Sequence, residues 1–109
     1  MSKRTPLIAG NWKLHNTLAE SQALASAIAK HVAKGVACHV VVGPVATSLT
    51  AVAQTLDGSA VGLAAQNTHW EDSGAFTGEL SPALLLDAGC GYCIIGHSER
   101  RQFFGETDA

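Results

Sequence analysis

Ile94-Ile95-Gly96-His97-Ser98-Glu99-Arg100-Arg101 is the stretch on which the reading of this chain turns. An apolar strand runs into a glycine, an imidazole and a block of charge. A histidine directly after a buried strand stands at the strand's carboxyl end, where parallel α/β folds gather their active sites. Ser98-Glu99-Arg100-Arg101 have the composition of a helix opening. Backbone N–H groups there disfavour a proton on His97 and hold it as a neutral imidazole able to donate to a developing oxyanion. The octapeptide is equally well satisfied by a His97 that only caps the helix or bonds a loop.

Working outward, Leu7-Ile8-Ala9-Gly10-Asn11-Trp12-Lys13 reads as a strand whose polar residues gather at its end. Period two places Asn11 and Lys13 on one face and Trp12 on the other. An amide beside an ammonium suits an anionic or carbonyl substrate, although a solvated lysine and a turn-forming asparagine read the same way. Thr17-Leu18-Ala19-Glu20 has the form of a capping box, opening a helix whose buried stripe is expected at Leu24, Ile28 and Val32, widened by Leu18 and the alanines, and whose stop is Gly35. Cys38-His39-Val40-Val41-Val42 is a second strand, and Ala46 to Leu56 a second helix buried through Leu49, Val52, Ala53 and Leu56. Asp57-Gly58 turns the chain into a third strand, Ala60 to Ala65, which ends in the amides Gln66 and Asn67.

Thr68 to Glu79 breaks this rhythm with a long loop holding Trp70, Phe76 and two of its glycines, Gly74 and Gly78. Exposed aromatics on such a loop favour a partner surface over disorder. Ser81-Pro82 opens a third helix, Gly89 closes it, and Tyr92 to Gly96 forms a fourth strand that returns to His97. The order βαβαβαβ calls for parallel strands joined by right-handed crossovers, and their apolar character requires both sheet faces to be covered. Four strands cannot close a barrel; an eight-stranded βα barrel takes about 250 residues, so 109 residues make roughly half of one.

Composition removes several classes of function. With 109 residues, 47% of them hydrophobic, the chain supports one core and not two. A net charge of -2 provides no basic field for nucleic acid and no polybasic stripe for a membrane surface. No apolar run approaches the roughly 20 residues of a membrane span, and Met1 to Pro6 leads into a strand instead of a signal-peptide core, so a cytoplasmic location is expected. Three cysteines, Cys38, Cys90 and Cys93, fit a reducing compartment. Cys90-Gly91-Tyr92-Cys93 has C-x-x-C spacing but no second pair, and Cys93 is expected in the core, which argues against zinc or redox chemistry. His97, Ser98 and Glu99 cannot form a hydrolytic triad because adjacent residues do not fold back into a nucleophile, base and orienter. His31 and His39 read as exposed or structural, as does His69.

Four motifs in register, Ala9-Gly10-Asn11-Trp12-Lys13, Ala65-Gln66-Asn67, Gly74-Ala75-Phe76-Thr77-Gly78-Glu79 and Ile95-Gly96-His97-Ser98-Glu99-Arg100-Arg101, resemble the N-terminal half of the triosephosphate isomerase family. The resemblance spans the whole chain. It implies an α/β fold, residues 1–109 being a single partial domain: the N-terminal half, four βα units with the last incomplete, of a (β/α)8 TIM barrel. It implies interconversion of dihydroxyacetone phosphate and glyceraldehyde 3-phosphate through an enediolate, in glycolysis and gluconeogenesis, with no cofactor and no metal. By the same resemblance, Asn11 is expected to help orient the pocket, Lys13 to supply the positive charge that holds the phosphorylated triose and its enediolate, and Glu99 to order Lys13 and the reacting oxygens. His97 is the electrophile, a role inherited from the family, which is itself the standard example of such a neutral histidine. Ser98 matches the family's residue packed behind the base.

The resemblance further implies a homodimer in which the Thr68 to Glu79 loop enters the neighbouring subunit. Thr77 then approaches the partner's active site, Gln66 and Asn67 sit at the same interface, and Glu79 pairs with Arg100 to brace the loop against the fourth strand. The family's general-base glutamate follows the sixth strand and its phosphate-gripping backbone the seventh and eighth, and none of that sequence is here. The chain alone is therefore expected to be inactive. A half-barrel acting as a structural or assembly module, with open first and fourth strands, is the other reading.

Overall fold

β-Branched and small residues build four short strands: β1 (Leu7–Asn11), β2 (His39–Gly43), β3 (Val61–Ala65) and β4 (Tyr92–Cys93). All pair in parallel in the order β1-β2-β3-β4, so each strand is the neighbour of the next in sequence. The structure is a computed structural model and describes residues 4–109. The reading of Met1, Ser2 and Lys3 as part of a leaderless start lies outside the described residues. Among the described residues no helix is long and apolar enough to cross a membrane.

Helix α1 (Leu18–Val32) opens on the expected capping box: Thr17 Oγ1 accepts from the Glu20 N–H, and Glu20 Oε1 accepts from the Thr17 N–H at 2.9 Å. Its buried positions are Ser21 and Ala25, with Ile28 and Val32 half-buried, while Leu18 and Leu24 stand exposed. Of the expected stripe, Ala25, Ile28 and Val32 face the core and the two leucines do not. Small side chains let α1 pack closely on α2 (Leu49–Leu56). A short 3-10 turn, Ala46–Ser48, leads into α2, which buries Leu49, Val52 and Leu56. These side chains meet Val42, Leu63, Ala65, Leu85 and Cys90 in one core between the sheet and its covering helices.

Helix α3 (Pro82–Ala88) starts where Ser81 Oγ accepts from the Leu84 N–H at 3.2 Å, and ends at Gly89 in the left-handed region at φ 109°. Helix α4 (Ser98–Phe104) follows β4 directly. Strand β4 is shorter than the expected Tyr92 to Gly96. Beyond its two paired residues Ile94 still donates to Ala65 O at 2.8 Å, and then the chain departs through Gly96 at φ 61°. As an edge strand it has a neighbour on one side only, and Cys93 is exposed instead of buried in the core.

In the long loop, His69 is buried against Trp70 and Phe76, each ring centroid 4.3 Å away. The His69 N–H donates to Leu80 O at 2.8 Å, which closes the base of the loop, and Trp70 faces solvent.

Candidate active site

The carboxyl ends of the strands open into a cavity of about 650 Å³ lined by Asn11, Lys13, Gln66, Asn67, His97 and Glu99, among others. Each polar group arrives by a local device. Strand β1 stops at Asn11, and Lys13 adopts a left-handed backbone at φ 56°, with its N–H donating to Asn11 Oδ1 at 3.0 Å. Asn11 and Lys13 therefore share the cavity because a side chain closes a turn, and not because the pleat extends to Lys13. Trp12 turns toward the core.

Gln66, at the end of β3, donates through Nε2 to Lys13 O at 2.7 Å and to Gly43 O at 2.8 Å. One amide thus ties together the ends of three strands. Nothing in the sequence pattern singled out this clamp: an amide at a strand end looks the same whether it meets ligand or backbone.

His97 caps α4, its Nδ1 accepting from the Glu99 N–H at 3.1 Å. Glu99 Oε1 also lies 3.6 Å from the same nitrogen. A nitrogen that accepts an N–H carries no hydrogen of its own, so the shorter, aligned bond decides the tautomer. In the neutral ring the hydrogen is then on Nε2. The carboxylate's firm partner is Lys13, whose Nζ lies 3.0 Å from Glu99 Oε2. Lys13, Glu99 and His97 form one charge-ordered cluster built by β1, β4 and α4, elements separated by more than 80 residues of chain.

Thr77 and Glu79 are exposed on the loop, away from the cavity lining. Arg100 pairs with Glu106 Oε2 at 2.6 Å and lies 4.7 Å over the Phe104 ring, so the expected Glu79–Arg100 pair is not made within this chain. Gly105, left-handed at φ 67°, ends α4 and turns Glu106 back to meet the guanidinium. A glycine followed by a carboxylate just after Arg100 was the available signal for that bond. Arg101 closes the segment further, with Nε to Gly96 O at 3.0 Å and Nη1 to Asp108 Oδ1 at 2.7 Å.

Burial pushes the Cys90 thiol above its ordinary range, with Cys93 adding to the effect, and the exposed Cys93 is raised by the desolvation that its neighbouring atoms impose. Both are free, and raised thiols are poorer nucleophiles at neutral pH. Among the described residues no group of three His, Cys, Asp or Glu side chains is placed to hold a metal ion.

Four parallel strands in a half-barrel, with polar side chains gathered at their carboxyl ends, define a portion of a TIM-barrel protein. Residues 6–109 match the family model described as triosephosphate isomerase, and the chain belongs to that family. It is 61% identical over 105 residues to a triosephosphate isomerase of Pelobacter propionicus, covering 96% of this chain and 42% of the relative. It is 58% identical over 106 residues to that of Syntrophotalea carbinolica, covering 97% of this chain and again 42% of the relative. The crystal structure of triosephosphate isomerase from Bartonella henselae superposes with a TM-score of 0.90 at 39% identity, covering 97% of this chain and 44% of that one. The chain thus spans less than half the length of these relatives and corresponds to their N-terminal portion.

Proposed function

We propose that residues 1–109 form one partial domain that supplies the electrophilic side of a triosephosphate isomerase active site. The substrates are dihydroxyacetone phosphate and glyceraldehyde 3-phosphate, interconverted in the cytoplasm as a step of glycolysis and gluconeogenesis. The observation that carries this reading is the Lys13–Glu99–His97 cluster at the mouth of the cavity, with Lys13 Nζ 3.0 Å from Glu99 and His97 Nδ1 occupied by the Glu99 N–H.

In this site the Lys13 ammonium offsets the charge of the phosphorylated triose and of the enediolate oxygen. His97 Nε2–H donates to the same developing oxyanion, and the Asn11 amide fixes the Lys13 turn. Glu99 holds the ammonium in place. Proton abstraction from carbon needs a base that these residues do not supply, since Glu99 is committed to Lys13. General-base catalysis is worth about 10² to 10⁴ in rate, so the chain alone turns over little substrate. The base and the phosphate-gripping backbone come from four further βα units, and Thr77 on the long loop approaches the equivalent cavity of a second subunit. Gln66, Asn67, Glu79 and Arg100 belong to that same subunit contact.

The test is complementation. The chain is mixed with a polypeptide covering the remaining C-terminal part of the Pelobacter propionicus relative, and isomerase turnover is followed. The mixture should be active, each component alone inactive, and His97→Ala and Lys13→Ala mixtures at least 100-fold slower, in line with the loss of oxyanion stabilisation. An assembled mixture without turnover, or one indifferent to His97→Ala, refutes the assignment.

A further inference from the structure

Arg101 does not line the cavity, yet its guanidinium reaches back to the residue that delivers His97 into it. Gly96 joins β4 to α4 in the left-handed region at φ 61°. Glycine passes between backbone basins at little cost, so nothing in Gly96 itself holds the peptide that links it to His97. That peptide is planar, and turning it swings the His97 Cα–Cβ bond and with it the imidazole.

His97 is held at three places. Its ring is fixed at Nδ1, which accepts from the Glu99 N–H at 3.1 Å. Its carbonyl accepts from the N–H groups of Arg100 and Arg101 at 3.0 and 3.1 Å, as the first turn of α4. The peptide before it is held by Arg101 Nε, which donates to Gly96 O at 3.0 Å. Nη2 packs over the same glycine, 3.1 Å from where a Cβ would stand. Nη1 lies 2.7 Å from Asp108 Oδ1, so the planar fork is engaged on two edges and its orientation is set. A lysine is a point charge without such edges and cannot serve both partners in fixed geometry.

We propose that Arg101 is a positioning residue for His97: its guanidinium locks the Gly96–His97 peptide and so aims Nε2 at the developing oxyanion. The inference rests on the isomerase reading for what Nε2 meets, and adds to it a residue outside the cavity. Arg101 acts through His97 alone and touches no substrate.

The experiment has a kinetic arm and an arm that needs no turnover. In the complemented enzyme, Arg101→Lys and Arg101→Met should each lower kcat at least tenfold and change KM less than twofold, since a misplacement of about 1 Å costs up to about 10²-fold in rate. Asp108→Ala removes the exposed ion pair, keeps the carbonyl bond, and should cost less than threefold. On a His97→Ala background Arg101→Lys should cost less than twofold, because no imidazole is left to aim. In nitrogen-15 spectra of the labelled chain, Arg101→Lys should shift the Glu99 amide and broaden the His97 ring resonances, leaving those of His31 and His39 in place. Arg101 is about half exposed, so its replacement leaves the core packed, which circular dichroism verifies. A wild-type mixture without turnover counts against the isomerase reading alone, and the spectra then decide this one. Equal losses for Arg101→Lys and Asp108→Ala, an undiminished loss on the His97→Ala background, or unmoved His97 and Glu99 resonances overturn the inference.

Discussion

Gly89→Ala examines how the fold delivers His97 to the cavity, because Gly89 ends α3 and releases the chain into β4. Its backbone is left-handed at φ 109°, and a Cβ placed there would lie 2.6 Å from the Ala53 Cβ and 3.9 Å from Leu63 Cδ2. Two costs combine. A non-glycine residue in the left-handed region costs about 1–2 kcal/mol, and forcing a methyl into packed atoms about 1–3 kcal/mol. The expected loss is therefore about 2–5 kcal/mol, set against the 5–15 kcal/mol or so that stabilises an ordinary domain. Urea unfolding followed by circular dichroism should show the midpoint falling by about 1–2.5 M, given a slope of about 2 kcal/mol per M. Gly35→Ala is the control, because Gly35 is also left-handed, at φ 100°, but has nothing within 4 Å of the added carbon. It should show only the conformational part. Ala53→Gly combined with Gly89→Ala should recover about 1–3 kcal/mol as a coupling energy beyond the helix penalty of the new glycine. Equal losses for Gly35→Ala and Gly89→Ala, or a cycle without coupling, would falsify the claim that this close approach seats β4.

The Lys13–Glu99 pair should separate stability from function. Both side chains are about half exposed, so Glu99→Gln should change the folding free energy by no more than about 1 kcal/mol, while turnover of the complemented enzyme drops at least tenfold; a stability loss above about 2 kcal/mol with unchanged turnover would show a merely structural pair. Glu20 should contribute to acid unfolding. Its hydrogen bonds from the Thr17 backbone N–H and, second, with the Thr17 side chain lower its pKa, so its contribution is present above the unfolded value of roughly 4.3 and is lost as pH falls through the folded value. Glu20→Gln should flatten the acid limb of a stability-against-pH curve recorded from about pH 5 to pH 3, and an unchanged limb counts against the capping box as its source.

What the sequence made legible was whatever depends on a few neighbouring residues. Thr17 with Glu20, Ser81 with Pro82 and Gly89, and His97 before Ser98-Glu99 all satisfy backbone groups locally, and each sits at its helix end as read. The alternation of strands and helices was equally plain, because parallel strands buried on both faces are written as short apolar runs. What failed were readings that depend on distant neighbours. Leu18 and Leu24 lie on the expected helical stripe, but periodicity does not say which flank of α1 is covered, and the close contact uses Ala25 of that stripe together with Ser21, which the stripe left out. Strand β4 reads as five residues and pairs over two, since an apolar run does not say how far its neighbour β3 accompanies it. The position of Lys13 came out right for the wrong reason: the left-handed turn held by Asn11 is rare for lysine and leaves no compositional trace.

These two kinds of feature bear differently on the proposed chemistry. The electrophilic cluster is assembled inside one half of the barrel, from the β1 turn, the Gln66 clamp and the cap of α4, so its geometry does not wait for a second half. Its strength does. With Lys13 and Glu99 half exposed, water screens the ammonium, and a charge interaction worth about 1 kcal/mol in water at 4 Å rises to about 4 kcal/mol at the lower dielectric near a protein surface. On the proposed reading, closing the barrel therefore adds more than the missing base. It dries the mouth of the cavity, so Lys13 and His97 act on the oxyanion at a strength the open half cannot reach.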